Sequence, residues 1–323
     1  KLCEERAPNL VTIEPRLRKG KVLTPSAIPC LQRLPTVNVT LGCSHGCGYC
    51  YIQGYANYPG DDRIVLFTNT AELIRAELQS MRRKPKRVYF SPSSDAFQYQ
   101  PQVRAVSLES MRVLLEAGVE VAFLTKGFLT DECFELFAQY PSKVFAQIGI
   151  TTTDQKLLRQ IEPRAGPPRM RVEAIRRLAQ LGITVRPRLD PLIPDITDNP
   201  TNLDALFEQL RAVGVCSASA SFLFIRNAFI NKVKSHYAEL GQGFGPARWK
   251  HQSFADSCGS AKSLDESDRQ IRFERVIRIA QAYGISVDIC TCKNPEFVGA
   301  GCSIAAENRQ ATTDLMLFSD KIP

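Results

Sequence analysis

The chain has 323 residues, 44% hydrophobic and 23% charged, and a net charge of +8. That size suits one large α/β barrel or two modest domains, the balance is that of a globular protein, and no run of about eighteen apolar residues offers a membrane span. Eleven cysteines, an odd number set in short clusters, argue against a secreted disulfide framework and for metal ligation in a reducing compartment. The opening Lys1-Leu-Cys-Glu-Glu has no signal-peptide pattern, so a cytoplasmic location is expected.

Residues 1–35 read as an extended leader that wraps the body or meets a partner. Hydrophobic periodicity then predicts strands at 36–41, 87–91, 120–125, 144–151, 184–189, 218–224 and 286–290. Amphipathic helices are predicted between them, at 71–82, 107–117, 130–139, 169–181, 202–213 and 263–283. In the first, Leu73, Ile74, Leu78 and Met81 share a stripe. The alternation predicts an α/β fold, a partial (β/α)6 TIM-type barrel over residues 36–225 with parallel strands and right-handed crossovers. Residues 226–265 break the rhythm. They hold Trp249, His236, His251 and the glycine-rich Gly241-Gln-Gly-Phe-Gly-Pro246, and read as an irregular insertion, either a lid or a surface linker. A C-terminal extension, 266–323, carries a second cysteine motif.

The first predicted strand runs straight into Cys43, Cys47 and Cys50, a C-x3-C-x2-C triplet among Gly, Ser and His. Three thiolates this close can hold three irons of a [4Fe-4S] cluster, leaving one iron open. Zinc would require a fourth ligand, with His45 the one zinc-type side chain nearby. The position supports the cluster, because barrels gather chemistry in the loops after their strands. An open iron can bind S-adenosylmethionine (SAM) and start radical chemistry.

The other cysteine group is Cys290, Cys292 and Cys302, spaced C-x-C-x9-C around Lys293-Asn-Pro. It reads as ligands of a second, auxiliary [4Fe-4S] cluster, with Cys258 or a substrate atom as fourth ligand. A zinc site and a set of redox thiols are the alternatives. Cys3, Cys30, Cys133 and Cys216 are scattered. Basic runs such as 82–87 and 16–21, with the net charge, give a mild bias toward polyanions, though solvated loops and helix ends are the simpler explanation of such runs.

The triplet, with Tyr49 before its last cysteine, resembles the radical SAM superfamily. Further segments follow the predicted strands: Ser91-Pro-Ser-Ser-Asp-Ala-Phe97, Leu124-Thr-Lys-Gly127, Gly149-Ile-Thr-Thr-Thr153, Ile161-Glu-Pro-Arg164 and Arg186-Pro-Arg-Leu-Asp-Pro-Leu-Ile-Pro194. In this order, over roughly 36–225, they resemble the spore photoproduct lyase family. The resemblance implies that Cys43, Cys47 and Cys50 hold the cluster. It puts Ser93, Ser94 and Asp95 at the SAM amino group and methionine moiety, Lys126 at its carboxylate, Thr151 and Arg188 at ribose or carboxylate, and the backbone around Tyr49 at adenine. Asp95 as a helix cap and Lys126 as a loop charge stay open as local readings. At one position the chain departs from the family. Pro92 stands where the lyase has the cysteine that donates hydrogen to the product radical.

The implied reaction takes one electron from a flavodoxin or ferredoxin, cleaves SAM to a 5′-deoxyadenosyl radical and removes hydrogen from a substrate. On charge, a nucleic acid or nucleotide ranks ahead of peptides and small metabolites. Tyr51, Tyr55, Tyr58, Phe97 and Tyr99 either shape an aromatic pocket or pack the barrel mouth. Two rival functions are sulfur insertion through the second cluster and a zinc-binding nucleic-acid module without catalysis.

Overall fold

The computed structural model of the protein describes residues 11–26, 28–239, 249–253, 260–294 and 296–297. Its strands are β1 (Thr12–Arg16), β2 (Thr24–Pro25), β3 (Pro35–Val37), β4 (Thr40–Leu41), β5 (Arg63–Phe67), β6 (Arg87–Phe90), β7 (Glu120–Thr125), β8 (Val144–Gly149), β9 (Thr184–Leu192), β10 (Ser217–Phe222), β11 (Ile225–Arg226), β12 (Trp249–Ser253), β13 (Ser260–Leu264) and β14 (Ser286–Ile289). Its helices are α1 (Thr70–Ser80), α2 (Pro101–Glu116), α3 (Asp131–Ala138), α4 (Gln155–Ile161), α5 (Pro168–Gln180), α6 (Pro200–Ala212), α7 (Ile230–Glu239) and α8 (Glu266–Ala282).

Eight strands make one sheet in the order β14-β10-β9-β8-β7-β6-β3-β2. Every neighbouring pair from β14 to β3 is parallel, and β2 runs antiparallel at the edge. This is an α/β fold on a mostly parallel central sheet, as in a partial barrel, with β14 as a seventh parallel strand beside β10. The register explains how it packs. Val88, Val121 and Val144 share one face with Phe90, Phe123 and Ala146, and these join helix residues Leu114, Phe134 and Ile175 in the main core. Tyr89, Ala122, Phe145, Thr184, Arg186 and Arg188 alternate with them and face the other way. One face is therefore apolar under helices, and the other carries Tyr89, Ala122 and Phe145 on β6 to β8 and arginines on β9. Phe97, Phe123 and Phe137 stack at the centre of the apolar layer, with centroids 4.8–6.1 Å apart.

On the other face, Leu31 is buried with Tyr89 and Ala122, and Ile28, Cys30, Leu34, Leu124 and Phe145 pack around it. Part of the segment expected as a leader thus fills the inner side of the sheet. Two further parts of it pair: β1 lies parallel to β5, and β2 pairs with β3.

The expected strand at 36–41 divides. β3 joins the large sheet, while β4 turns away to pair antiparallel with β5. Asn38 marks the break, its Oδ1 accepting from the Ser93 N–H at 3.0 Å. Helix α2 begins six residues before the predicted start, on a proline at its first turn. Helix α4 was not anticipated. Asp154 starts it, its Oδ1 accepting from the N–H groups of Lys156 (2.7 Å) and Leu157 (3.2 Å). Helix α8 starts later than predicted because β13 occupies residues 260–264 and Asp265 caps the first turn. The stretch 226–265, expected as irregular, includes α7 and most of a small antiparallel sheet in the order β11-β13-β12. Gly241–Pro246 falls outside the described residues. No helix among the described residues is long and apolar enough to cross a membrane.

A candidate metal and cofactor site at the strand ends

The cysteine loop follows β4 and is braced from three sides. Ser44 donates its N–H to Gln98 Oε1 (2.6 Å) and its hydroxyl to Gln100 Oε1 (2.7 Å). The Glu162-Pro-Arg164 segment after α4 holds the opposite side. Gly48 N–H donates to the Ile161 carbonyl (3.2 Å), Arg164 N–H to the His45 carbonyl (3.1 Å), and Arg164 Nε to the Ser44 carbonyl (2.6 Å). Helix α7 covers the loop. A Cβ on Gly48 would lie 2.3 Å from Cδ2 of His236, so only glycine fits there without displacement. Cys47 and Tyr49 are buried with Phe229, Val233 and Tyr237 in a satellite core.

Asp95 ties this loop to the strands. Its carboxylate lies 3.0 Å from His45 Nε2 and accepts from the Phe97 N–H (2.8 Å), Thr125 Oγ1 (2.8 Å) and the Lys126 N–H (2.8 Å). Burial pushes this carboxyl up, but His45 and the backbone donors outweigh it and hold it below its ordinary value. The carboxylate is thus occupied within the chain. Glu162 is similarly spent: it accepts from the Tyr49 hydroxyl and from Arg171 Nη2 (2.5 Å), both buried. Arg171 also donates to the carbonyls of Gly166 and Gly149, at 2.8 Å each.

The remaining site residues predicted from sequence gather near these anchors. Lys126 Nζ sits 5.6 Å from the centroid of the Tyr49 ring and donates to the Asp190 carbonyl (2.9 Å). Arg188 donates from Nε (2.9 Å) and Nη2 (2.8 Å) to Asp190 Oδ2, and its Nη2 lies 3.5 Å from Cys290 Sγ. Thr151 is buried, its carbonyl accepting from Asn202 (2.8 Å). Ser93 lines a cleft of about 130 Å³ with Asn38, Thr40, Tyr55, Asn57 and Tyr58. Of the aromatics, Tyr51 stacks on Phe224 (6.1 Å), and Tyr51 meets Tyr55 edge-on (5.9 Å). Phe97 belongs to the core instead. Tyr51 also donates its hydroxyl to the Pro92 carbonyl.

The second cysteine group sits at the same end of the sheet. Cys290 follows β14, its N–H donating to the Ala220 carbonyl (2.9 Å), and its Sγ is 3.1 Å from that of Cys292. Lys293 Nζ reaches both oxygens of Asp190 at 2.7 Å. Asp190 therefore joins the two groups. Burial pushes its carboxyl up, but Lys293, Arg188 and Lys126 together pull it well below its ordinary value. Cys302 and Cys258 lie outside the described residues.

Sequence reasoning treated His45 only as a zinc alternative and missed Asp190, Lys293, Arg171 and Gln98. For Asp190 a usable signal was present: a carboxylate next to Pro191, just after a predicted strand.

The donor set fits an iron–sulfur cluster. Burial pushes the thiols of Cys43, Cys47 and Cys50 up, and the carboxylates of Asp95 and Glu162 add to this at Cys43 and Cys47 respectively. Such thiols stay protonated alone, and iron is the kind of cation that converts them to thiolates. Among the described residues no three His, Cys, Asp or Glu side chains converge on one ion-sized point. The hydroxyls of Ser91, Ser94 and Thr151 are buried without a hydrogen-bond partner among the described residues, leaving capacity for a bound molecule at the strand ends.

A model of the radical SAM superfamily matches residues 37–206, a little over half of the chain. An uncharacterised protein of Mycobacterium tuberculosis is 28% identical over 202 residues, 60% of this chain and 59% of that one. The chain thus covers less than two thirds of that relative's length. An uncharacterised protein of the Acidianus two-tailed virus is 26% identical over 214 residues, 62% of this chain and 70% of that one. Among solved structures, spore photoproduct lyase with bound S-adenosylmethionine and dinucleoside spore photoproduct superposes with a TM-score of 0.68. That match is 13% identical and covers 85% of this chain and 81% of the lyase. A Streptococcus suis protein bound to a precursor peptide gives a TM-score of 0.52 at 14% identity, over 81% of this chain and 50% of that one. At such identities the likeness is one of fold. The family model covers the stretch from β3 into α6, with the cysteine triplet and its Asp95 and Glu162 anchors inside it, and the chain belongs to the radical SAM superfamily.

Proposed function

We propose that the protein is a radical SAM enzyme in which Cys43, Cys47 and Cys50 hold a [4Fe-4S] cluster that binds and reductively cleaves SAM. The observation that carries this reading is a braced loop presenting three thiols near Lys126, with hydroxyls that have no hydrogen-bond partner among the described residues at the strand ends. When bound, the cluster and SAM supply an electron and a 5′-deoxyadenosyl radical that takes hydrogen from a substrate. The chain's own residues position and shield. Lys126 offers its ammonium to a carboxylate, Ser94 and Thr151 offer free hydroxyls, and Ser93 with Asn38 lines the adjoining cleft. Asp95 acts through His45 and the Lys126 backbone, so in this reading it orients the loop and does not touch SAM. Arg188 is held by Asp190 and faces Cys290, and its role belongs with the second cysteine group.

Electron supply by a flavodoxin or ferredoxin and a nucleotide or nucleic-acid substrate are part of the proposal, the latter supported by the +8 charge and the arginine-bearing inner face. The proximity of Cys290 and Cys292 to Arg188 favours a second cluster, and sulfur insertion is the reaction class that would use it. A non-catalytic zinc module does not suit a chain of this superfamily. The test is anaerobic reconstitution with iron and sulfide, then dithionite and SAM. Wild type should release 5′-deoxyadenosine and methionine, and Cys43→Ala none. Equal release by both would sink the reading.

A further inference from the structure

Lys126 follows β7, and the alternation of that strand carries it onto the inner face of the sheet with Ala122 and Leu124. Gly149 ends β8 on the same face, one step beyond the Thr125–Ile148 pair. Asp190 lies in β9, the next strand over. Lys126 Nζ donates to the Asp190 carbonyl at 2.9 Å. The lysine side chain thus crosses β8 to reach β9, and it crosses at Gly149. A Cβ on Gly149 would lie 2.7 Å from Lys126 Cγ, 3.1 Å from Cε and 3.4 Å from Nζ, and these are its nearest neighbours.

We propose that Gly149 is a positioning residue for SAM binding. Its missing side chain leaves the bed in which Lys126 lies, and so fixes where the ammonium points. The inference rests on the reading above that Lys126 meets the SAM carboxylate, and it adds the residue that aims the lysine.

The main chain gives no other reason for glycine here. Gly149 is not in the left-handed region, so its backbone would accept alanine. Neither backbone is free to back away from the other. The Gly149 carbonyl accepts from Arg171 Nη1 (2.8 Å), and the next N–H, of Ile150, donates to the Arg188 carbonyl (3.0 Å). On the lysine's side, the Lys126 N–H donates to Asp95 Oδ2 (2.8 Å), and the Lys126 carbonyl accepts from the Gly166 N–H (2.7 Å). With both backbones pinned, a methyl on Gly149 is accommodated by turning the Lys126 side chain. That rotation takes the ammonium off the Asp190 carbonyl. An ammonium has more N–H donors than the one spent on Asp190, so in its present place it can hold a carboxylate as well.

The experiment is a double-mutant cycle on anaerobically reconstituted full-length protein, with Gly149→Ala, Lys126→Ala and the two combined. SAM affinity is read by equilibrium dialysis, alongside iron content and urea unfolding. Each single variant is expected to weaken SAM binding by roughly tenfold, the scale of one charge-assisted hydrogen bond. The combined variant is expected to bind no worse than Lys126→Ala, because the shortened side chain leaves nothing for the new methyl to displace. The iron content and urea midpoint of Gly149→Ala should match wild type. Wild-type affinity in Gly149→Ala, with Lys126→Ala weakened, would overturn the role of Gly149 and leave the Lys126 reading standing. Losses that add in the combined variant would show that Gly149 acts elsewhere, and would overturn its role too. Unchanged affinity in Lys126→Ala would overturn both. Should Gly149→Ala fail to fold or to take up iron, adding Lys126→Ala decides the matter. Recovery supports the inference, and continued failure overturns it.

Discussion

His45 sets its Nε2 3.0 Å from Oδ2 of Asp95, and both side chains are buried. One partner sits between two cysteines of the triplet. The other joins the loop after β6 to the end of β7 through Phe97, Thr125 and Lys126. The pair therefore ties the cysteine loop to the parallel sheet.

Asp95→Asn should loosen that loop without deleting a ligand. Partners of this kind typically matter by about 10–100-fold in metal affinity. Iron retained under chelator challenge should fall in Asp95→Asn and in His45→Ala while far-ultraviolet circular dichroism stays unchanged. Wild-type retention in both variants would show that the pair is incidental to the metal.

The Glu162–Arg171 pair is a stability element. Arg171→Met leaves a buried carboxylate without its guanidinium and should cost about 3–5 kcal/mol in urea unfolding. Adding Glu162→Gln should recover part of the loss, because no charge is then left unpaired.

The same pair predicts a pH dependence. Burial pushes the Glu162 carboxyl up, but Arg171, Lys126 and Tyr49 outweigh it and hold it below its ordinary value. A depressed carboxyl adds stability that is fully present above its unfolded value, about 4.3, and is lost as pH falls toward the folded value. Urea midpoints of wild type should therefore drop more steeply than those of Glu162→Gln below about pH 4.3. Parallel slopes would count against the assignment.

Gly127 follows Lys126 in a tight crossing. A Cβ there would lie 2.0 Å from the Phe97 carbonyl oxygen, a backbone atom that cannot swing aside. Gly127→Ala should cost about 1–3 kcal/mol or more and weaken SAM binding by displacing Lys126. Gly182→Ala is the control. It has open space but a φ of +72°, so about 1–2 kcal/mol is expected with SAM binding intact. Both follow from thermal unfolding and equilibrium dialysis with SAM.

Lys126→Met removes the ammonium that faces Tyr49 and the Asp190 carbonyl. SAM affinity should drop by roughly tenfold, the worth of one charge-assisted hydrogen bond, while iron content holds at the wild-type level. An unchanged Kd would place the SAM carboxylate elsewhere.

Much of this protein was legible in the chain alone. Strands β6 to β10 stand out because each buries one apolar face, and alternation at period two survives any detail of packing. The cysteine triplet stands out because its ligands are neighbours in sequence, so spacing carries the geometry. Helix α4 and strands β1, β5 and β13 were not legible. They are short, and their pairing partners rather than their own periodicity hold them in place.

Tertiary structure alone decided the rest. Asp95 with His45, Glu162 with Tyr49 and Arg171, and Asp190 with Lys293 are pairs separated by between 9 and 113 positions. No local pattern encodes such meetings. They arise because parallel strands bring every βα loop to the same end of one sheet, and because the segment around Leu31 folds back onto its inner face. Sequence determined which residues can hold a cluster, and the sheet decided which residues hold them in position.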